Sequence, residues 1–410
     1  MQTTARRRSD RFNDRRRQIL DAAAPLFNQK GLGGTTLAEV AAAVGLITTS
    51  VTYYYRRKDD LAAACLMRTI DAYEGLIAEA ATRPDPAARL TAFIEGYFDL
   101  LASIAEGRGP ALMNFFDIRS LTGTAADPAF SAFNQMFRNL RSLMRPAMDQ
   151  PAFPQPEENA RVHLTLSLIL WARTWAARYD PMDYPRIAAR LSDILVHGLA
   201  PGADWAPPAI VLPAPPVEDG GPGLSRADFL KAATQTINAF GYHGASVDAI
   251  AARLNVTKGA FYHHISAKDD LVLSCFDRSF GAVHDTQKAA LGAGLGHWDR
   301  LIGITDALVR RQVEDQPLLR HMAIAAAHAE VRSELRDAME RQTEHYAGLI
   351  ADAAAQGVIR PVDPAIAAQM VAETINAAPD LARWTAGQLS AEEASRFYVR
   401  PLFINGVLKP

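Results

Sequence analysis

Cysteines and long apolar runs are scarce in this 410-residue chain. Cys65 and Cys275 alone cannot build a disulfide framework, which is typical of a protein kept in a reducing cytosol. The most apolar run, residues 164–172, is too short to cross a bilayer and has arginines close on both sides. The Arg-rich first 17 residues lack the apolar segment of a secretory signal. We therefore expect a cytoplasmic protein without a membrane partner.

Patterns of catalytic and metal-binding residues are missing as well. No nucleophile with its base, phosphate-binding loop or metal cluster is recognisable, so we expect no enzymatic activity and no cofactor. His263 and His264 are neighbours that point about 100° apart on a helix and have no ligand at i+4, which disfavours a metal site. For Cys65 and Cys275, which occupy equivalent positions, a buried thiol is the favoured interpretation over a redox sensor.

The charge of the chain is unevenly distributed. The total is only −2, but residues 1–60 hold 11 lysines and arginines against 6 acidic residues. Residues 224–270 hold 5 against 4. Basic zones on an otherwise acidic body are compatible with a nucleic-acid partner, because only the contacting face must be positive.

An internal repeat organises the chain. Residues 31–68 align without gaps with residues 241–278 at an offset of 210, and both copies contain Lys-Asp-Asp-Leu, at 58–61 and 268–271. The correspondence continues with Trp175 and Trp384 at an offset of 209, and with Gly198 and Gly406 at an offset of 208. A unit of this length indicates a duplicated domain rather than a solenoid.

A proline-rich segment separates the two copies. Residues 201–223 contain seven prolines, which favours a semi-rigid extended linker that permits several relative placements of the copies. We therefore divide the chain into a first head (1–61), a first body (62–200), the linker (201–223), a second head (224–271) and a second body (272–410). Apolar residues recur at spacings of three and four outside the linker, which predicts an all-α fold.

The segment 36–55 has the pattern of a helix-turn-helix. Thr36 and Glu39 form a predicted capping box, Gly45 permits the turn, and Thr48 is placed to cap a second helix. Leu37, Val40 and Val51 are among the side chains that we expect in one small core. In this unit the second helix enters the DNA major groove.

These residues resemble the TetR family of regulators. The family pattern of Gly, Thr, Ile-Ala, Gly-Val and then aromatic residues before Lys and Leu is followed closely by residues 241–271 and more loosely by residues 31–61. The first copy departs from the pattern with Thr52 where the family has Tyr, and the second with Asn255 in the turn. The resemblance implies a three-helix DNA-binding head on a larger helical body in each unit.

The resemblance also implies which residues contact double-stranded DNA. Groove-facing residues are expected from both copies: Thr48, Thr49, Ser50, Tyr53 and Tyr54, then Lys258, Gly259, Ala260, His263 and His264. Thr257 is expected among the DNA-binding residues of the second copy. Phosphate contacts are expected from Thr36, Ser246, Tyr262, Lys58 and Lys268. Ahead of the first copy lies a basic arm that includes Arg15, Arg16 and Arg17. It is either a DNA-binding arm along phosphates or in the minor groove, or a disordered solvated tail.

The helical bodies are expected to bind a small hydrophobic effector and to pair. His163, Trp171 and Trp175 are candidates to line the effector cavity, although packing between helices explains each of them singly. The terminal segments 187–199 and 394–408, with the helices before them, are expected to pair within one chain. The chain would then be a ligand-responsive regulator, usually a repressor in this family, that reads an asymmetric or pseudo-palindromic operator with two different heads.

Two alternatives to this interpretation remain. Chains can instead form a homodimer that presents four heads, or the first unit can serve only as an interaction or sensor module. Thr52 favours the second alternative and the basic arm argues against it.

Overall fold

The computed structural model describes residues 2–211, 225–254, 268–320, 329–385 and 389–409. Within these ranges every regular element is a helix and there is no strand, which confirms the predicted all-α class. Among the same residues no single helix is both long and apolar enough to span a membrane. The short helices Leu37–Ala43 and Thr48–Tyr54 reach the required length and hydropathy only when they are counted together, as a bent pair.

The first unit contains eight α-helices. They are α1 (Gln2–Gly34), α2 (Leu37–Ala43), α3 (Thr48–Tyr54), α4 (Lys58–Ala80), α5 (Pro86–Ala105), α6 (Ala126–Leu143), α7 (Gln155–Ala176) and α8 (Tyr184–His197). A short 3₁₀ turn, Phe116–Ser120, lies between α5 and α6. Helices α1 to α3 form the head, and α4 runs from the head into the body, where it packs against α5 and α6.

The second unit repeats this order within the described ranges. Its helices are α9 (Arg226–Gly244), α10 (Val247–Leu254), α11 (Lys268–Gly292), α12 (His297–Val313), α13 (Ala329–Ala355), α14 (Pro364–Ala377), α15 (Leu381–Trp384), α16 (Ala391–Ala394) and α17 (Arg400–Phe403). Where the first unit ends in the continuous helix α8, the second has α16, a π-helical turn (Ser395–Val399) and α17.

The duplication extends to backbone conformation and to side-chain hydrogen bonds. Gly31 and Gly241 interrupt α1 and α9 with nearly identical dihedral angles, φ 69° and ψ 171° against φ 70° and ψ 173°. Asn28 donates to a backbone carbonyl at 2.8 Å and accepts from a backbone N–H at 2.7 Å. The equivalent bonds of Asn238 measure 2.9 and 3.0 Å. The two units therefore share backbone conformation and side-chain hydrogen bonds at these equivalent positions.

The two bodies pack against each other along their last helices, and we call this contact the seam. Helix α7 packs against α14, and α8 packs against both α14 and α17. The Trp171 indole N–H donates to the Gln369 side chain at 3.1 Å. The buried Arg161 guanidinium donates to the backbone carbonyls of Val407 and Lys409, at 3.2 and 2.7 Å. Buried apolar residues from both units form one continuous core across the seam.

Two equivalent glycines meet backbone to backbone at the seam. Gly198 and Gly406 both adopt positive φ, 71° and 78°. A Cβ on Gly198 would lie 2.9 Å from the backbone nitrogen of Asn405, and one on Gly406 would lie 2.3 Å from the backbone oxygen of Val196. No larger residue fits either position without moving the backbone, so the close approach requires glycine on both sides.

The first part of the linker packs onto the second unit. The Trp205 indole N–H donates to the Ser395 hydroxyl at 3.0 Å, and its ring lies 5.8 Å from that of Phe403. Residues 212–224 lie outside the described ranges. The expected freedom of placement therefore does not extend to Trp205, because its ring is packed against the second unit.

Candidate functional site

The first head contains the expected helix-turn-helix. Helices α2 and α3 meet at 102° across Gly45, whose φ of +66° ends the first helix. The capping box is formed: the Glu39 backbone N–H donates to the Thr36 hydroxyl at 3.2 Å, and the Thr36 N–H donates to the Glu39 carboxylate at 2.8 Å. Val40 and Val51 are buried beneath the two helices. Such an angle is typical of a helix-turn-helix.

The carboxylate of the capping box also carries an ion pair. Lys30 Nζ lies 2.6 Å from Glu39 Oε1. This contact, with the two hydrogen bonds from Thr36, lowers the pKa of Glu39 to about 2. The Glu39 side chain thus stays ionised while it holds the start of α2 against α1.

Helix α3 presents a polar face with exposed aromatic and aliphatic groups. Thr48 and Thr49 are exposed, and Ser50 and Tyr54 are partly buried. Tyr53 is 76% exposed and Ile47 is 70% exposed. Thr48 was expected to cap this helix but is its first residue, since the preceding Ile47 occupies the cap position without a side-chain bond. Ile47 was missed from the sequence because an apolar residue before a helix is usually assigned to the core.

Phe12 extends the exposed face of α3 with a contact from α1. Its ring centroid lies 4.9 Å from that of Tyr54 and 6.3 Å from that of Tyr53, and the two tyrosine rings are 5.2 Å apart. Phe12 is 38% exposed. We call these three residues the aromatic cluster. No local sequence pattern connects positions 12 and 54, so the contact between Phe12 and Tyr54 was not predicted.

The basic arm is a continuation of helix α1, which begins at Gln2. It is therefore helical rather than the disordered tail of one interpretation, and its contact with DNA stays a prediction. Arg15 donates to Gln18 at 2.8 Å and Arg17 forms an ion pair with Asp14. Arg16 donates to the Tyr55 hydroxyl at 3.3 Å and lies 5.5 Å from the centre of that ring.

The second head matches the first as far as it is described. The Ser246 hydroxyl accepts from the backbone N–H of Ala249 at 3.1 Å, as Thr36 does in the first head. The second set of groove-facing and phosphate-contacting candidates, Thr257, Lys258, Gly259, Ala260, Tyr262, His263 and His264, lies outside the described residues. Lys58 and Lys268 are the first residues of α4 and α11.

A cavity lies where the two units meet. It has an empty volume of about 1040 Å³, counting its open mouth. Aromatic side chains form much of its wall: Tyr73, Tyr97, Phe115, Phe133, Trp171 and Trp384. His163 also lines it, whereas Trp175 does not and packs in the core near Phe98 and Tyr179 instead. An aromatic lining with a few polar groups is typical of a small-molecule site.

Six charged side chains also line this cavity: Arg119, Arg173, Arg320, Glu373, Asp380 and Arg383. The Asp380 carboxylate is 2.5 Å from the Arg320 guanidinium and 3.3 Å from that of Arg119. Burial opposes ionisation of Asp380, but the Arg320 charge, with smaller contributions from His163 and Arg119, outweighs it and lowers the pKa of this carboxyl.

Two groups in the cavity wall have their charged forms suppressed by burial. Desolvation raises the pKa of Glu373 to about 8, although the Asn376 amide donates to its carboxylate at 2.8 Å. Desolvation lowers the pKa of His163 to about 4, and its Nε2 bonds the Ala377 carbonyl at 3.0 Å. Both side chains are therefore mostly neutral at pH 7.

The cavity wall is hydrogen-bonded to both heads. In the first unit Asn28 of α1 bonds Leu112 and Asn114, and Arg173 donates to the same two residues at 2.9 and 3.1 Å. We call the hydrogen bonds between an asparagine of a head and a segment of the cavity wall the clamp.

The second unit has the same clamp. Asn238 of α9 bonds the backbone of Leu318 and Arg320, and Arg320 pairs with Asp380. In both units hydrogen bonds thus link the cavity wall to the first helix of the head.

Other reactive groups in the described ranges are inert. Cys65 and Cys275 are buried with sulfurs 3.9 and 3.7 Å from backbone carbonyls, and desolvation raises their pKa values to about 12 and 11. In the same ranges no group of three or more metal-ligating side chains is found.

Residues 19–65 and 229–275 each match the sequence profile of one family, described as bacterial regulatory proteins, tetR family. Both matches run from the first helix of a head into the long helix that follows it. No curated protein matches the chain.

Solved structures similar to this chain each cover less than half of it. AibR in complex with isovaleryl coenzyme A and operator DNA is 20% identical over 44% of this chain and 97% of its own, with a TM-score of 0.36. KstR2 of Mycobacterium tuberculosis, a ketosteroid transcriptional regulator, is 18% identical over 45% and 96%, with a TM-score of 0.36. FadR from Bacillus subtilis in complex with stearoyl-CoA is 18% identical over 42% and 95%, with a TM-score of 0.34.

Proposed function

We propose that this chain, a TetR-family regulator with two TetR-like units, binds an operator with both heads and leaves it when a small molecule fills the cavity between the units. The observation that carries this proposal is the clamp, which bonds the cavity wall to α1 through Asn28 and to α9 through Asn238. Repression is the mode of action we infer for the DNA-bound state.

The two heads would use different side chains on DNA. In the first head the exposed Thr48, Thr49 and Tyr53 read base edges, with Ser50 and Tyr54 beside them. In the second head we assign base reading to Lys258, His263 and His264, around the small residues Gly259 and Ala260. The groups assigned to phosphates are Thr36, Lys58, Ser246, Thr257, Tyr262, Lys268, Arg15, Arg16 and Arg17, because hydroxyls and basic side chains anchor a protein without reading sequence.

The seam supports pairing of the two units within one chain. Its bonds come from equivalent helices of the two bodies, which is the arrangement a symmetric dimer would use. Two unlike reading helices held by one chain then recognise an asymmetric operator. The heads must engage successive major grooves about 34 Å apart.

Effector binding would act by changing the spacing or orientation of the heads. A ligand shifts an equilibrium only by its difference in affinity between the two conformers. The clamps provide that difference, because the wall segments cannot move without stretching hydrogen bonds to α1 and α9.

Footprinting of head variants tests the proposal. We expect Tyr53→Ala to weaken protection of one half-site and Lys258→Ala to weaken the other, while the exposed Arg190→Ala on α8 changes neither. Loss of the same half-site in both variants would contradict intramolecular pairing. Full DNA affinity in the Tyr53→Ala protein, and also after replacement of Arg15, Arg16, Arg17 and Lys58, would make the first unit an interaction module. Sedimentation mass on operator DNA distinguishes one chain from a homodimer with four heads.

A further inference from the structure

The cavity has a charged half and an aromatic half, which come largely from different units. Tyr73, Tyr97, Phe133 and Trp171 belong to the first unit, whereas Arg320, Glu373, Asp380 and Arg383 belong to the second. Tyr73, Tyr97 and Phe133 are deeply buried, while Arg383 is exposed. The aromatic half is therefore the more deeply buried one, and Arg383 lies on the exposed side of the cavity.

The charged half has an excess of positive charge. Arg119, Arg320 and Arg383 surround the single ionised carboxylate of Asp380. Glu373, the second acid, is mostly protonated at pH 7, since burial raises its pKa to about 8. The Asp380 carboxylate is already paired with two guanidinium groups, so it does not favour binding of a cationic ligand.

Arg383 stands at the border between the two halves. Its guanidinium lies 4.9 Å from the centre of the Trp384 ring and 5.7 Å from that of Phe133. Within the described ranges no carboxylate lies close enough to form a salt bridge with it. Partial desolvation and the charges of Arg119 and Arg320 lower its pKa to about 10, which means that a further anion would relieve repulsion among these cations.

The charged half is not repeated at the equivalent positions of the first unit. At the offset of 209 that aligns Trp175 with Trp384, Asp380 and Arg383 correspond to Trp171 and Thr174. The clamps likewise align Arg320 with Asn114. The first unit therefore has no equivalent of Arg320, Asp380 or Arg383, and among the described residues this combination occurs once.

We propose that the cavity binds one amphipathic anion per chain, with its carboxylate or phosphate head on Arg119, Arg320 and Arg383 and its apolar part among the aromatic side chains of the first unit. This inference rests on the proposed function for its regulatory meaning but not for the binding itself. It refines the expected hydrophobic effector by adding a negative charge and a stoichiometry of one.

Direct binding to the full chain without DNA tests the proposal. The probes are decanoate and 1-naphthoate, each compared with its uncharged alcohol, decanol or 1-naphthalenemethanol, and with decyltrimethylammonium. Calorimetry gives the stoichiometry, and quenching of Trp171 and Trp384 fluorescence reports occupancy. We expect at least one anion to bind once per chain, about tenfold or more tighter than its alcohol, the factor typical of one charge-assisted hydrogen bond.

Arg383→Gln is the informative variant because no described carboxylate depends on Arg383 for pairing. It should weaken the anion about tenfold and leave the alcohol unchanged. Arg190→Gln, an exposed arginine on α8, is the matched control and should behave as wild type. Decanoyl coenzyme A separates the two sources of the charge: tighter binding than decanoate indicates a phosphorylated head, and weaker binding a free carboxylate.

Three outcomes would overturn the inference: neither anion binds, the alcohol or the ammonium binds as well as the anion, or two anions bind per chain. Operator release is measured separately by fluorescence anisotropy. If the anion binds once without releasing DNA, the site stands and the proposed regulation fails.

Discussion

Three single side chains in or beside the cavity bear on stability and on the contact between cavity wall and heads. Glu373 is buried and mostly protonated, and Asn28 and Asn238 each hold a wall segment to a head. These groups act through burial and hydrogen bonds, and their effects can be separated by conservative substitutions.

Glu373→Gln should change how stability depends on pH. Folding raises the pKa of this carboxyl from 4.5 to about 8, so its favourable contribution is complete below pH 4.5 and is lost as the pH rises toward 8. The glutamine variant does not titrate. Urea unfolding at pH 5, 6.5 and 8 should show wild type losing stability relative to the variant, by at most about 1.4 kcal/mol per pH unit. Parallel pH profiles would show that Glu373 ionises freely in the folded protein.

Asn28→Ala and Asn238→Ala should each uncouple one head. Asn28→Ala leaves the Asn114 N–H without its acceptor, whereas Arg173 still donates to the Leu112 carbonyl. Asn238→Ala removes the bonds to the Leu318 carbonyl and the Arg320 N–H. Each unpaired backbone group costs about 1–3 kcal/mol. Urea unfolding measures that loss, and anisotropy measures the effector response, which should weaken in both variants. The exposed Asn13→Ala on α1 is the control. An unchanged response in both variants would remove the clamp from the mechanism.

At the scale of helices, what the sequence predicts well is local. The capping box of Thr36 and Glu39 and the turn at Gly45 involve residues at most four apart, and both occur as expected. The packing of Phe12 on Tyr54 and the pairing of Arg320 with Asp380 join distant positions, and neither leaves a trace in local spacing. The cavity was anticipated only in His163 and Trp171, because its wall combines distant helices of the first unit with residues of the second.

Phe12→Ala should loosen the start of α1 from α3. The change removes two aromatic contacts worth about 0.5–1.5 kcal/mol each. Hydrogen exchange should then become faster in residues 11–18 and 48–54 and stay unchanged in α7. The matched comparison is Phe130→Ala, a partly buried phenylalanine of the first body. Equal exchange in α3 before and after the Phe12 change would mean that the aromatic cluster does not hold the arm.

At the scale of the whole molecule, the seam makes the two units mechanically dependent. One apolar core crosses it, and Arg161 ties the first body to the last residues of the second. We therefore expect the bodies to unfold together rather than as independent domains.

Arg161→Met should destabilise both units at once. It leaves the carbonyls of Val407 and Lys409 without this donor and Glu157 without its ion-pair partner, a loss of about 2–4 kcal/mol. Denaturant unfolding followed by tryptophan fluorescence should remain a single transition at lower midpoint. Arg190→Met, at an exposed position, should leave the midpoint within error. Two separated transitions in wild type would show that the seam does not couple the bodies.

The meeting of Gly198 with Gly406 also bears on how such a chain can evolve. If the units descend from a symmetric pair of identical chains, each glycine once faced its own copy, and any mutation there entered both sides together. Fusion into one gene makes the two sides separate codons. One side can then change while the other compensates, a path closed to a homodimer. The unequal cavity lining and the different sequences of the two heads are the kind of divergence that this freedom permits.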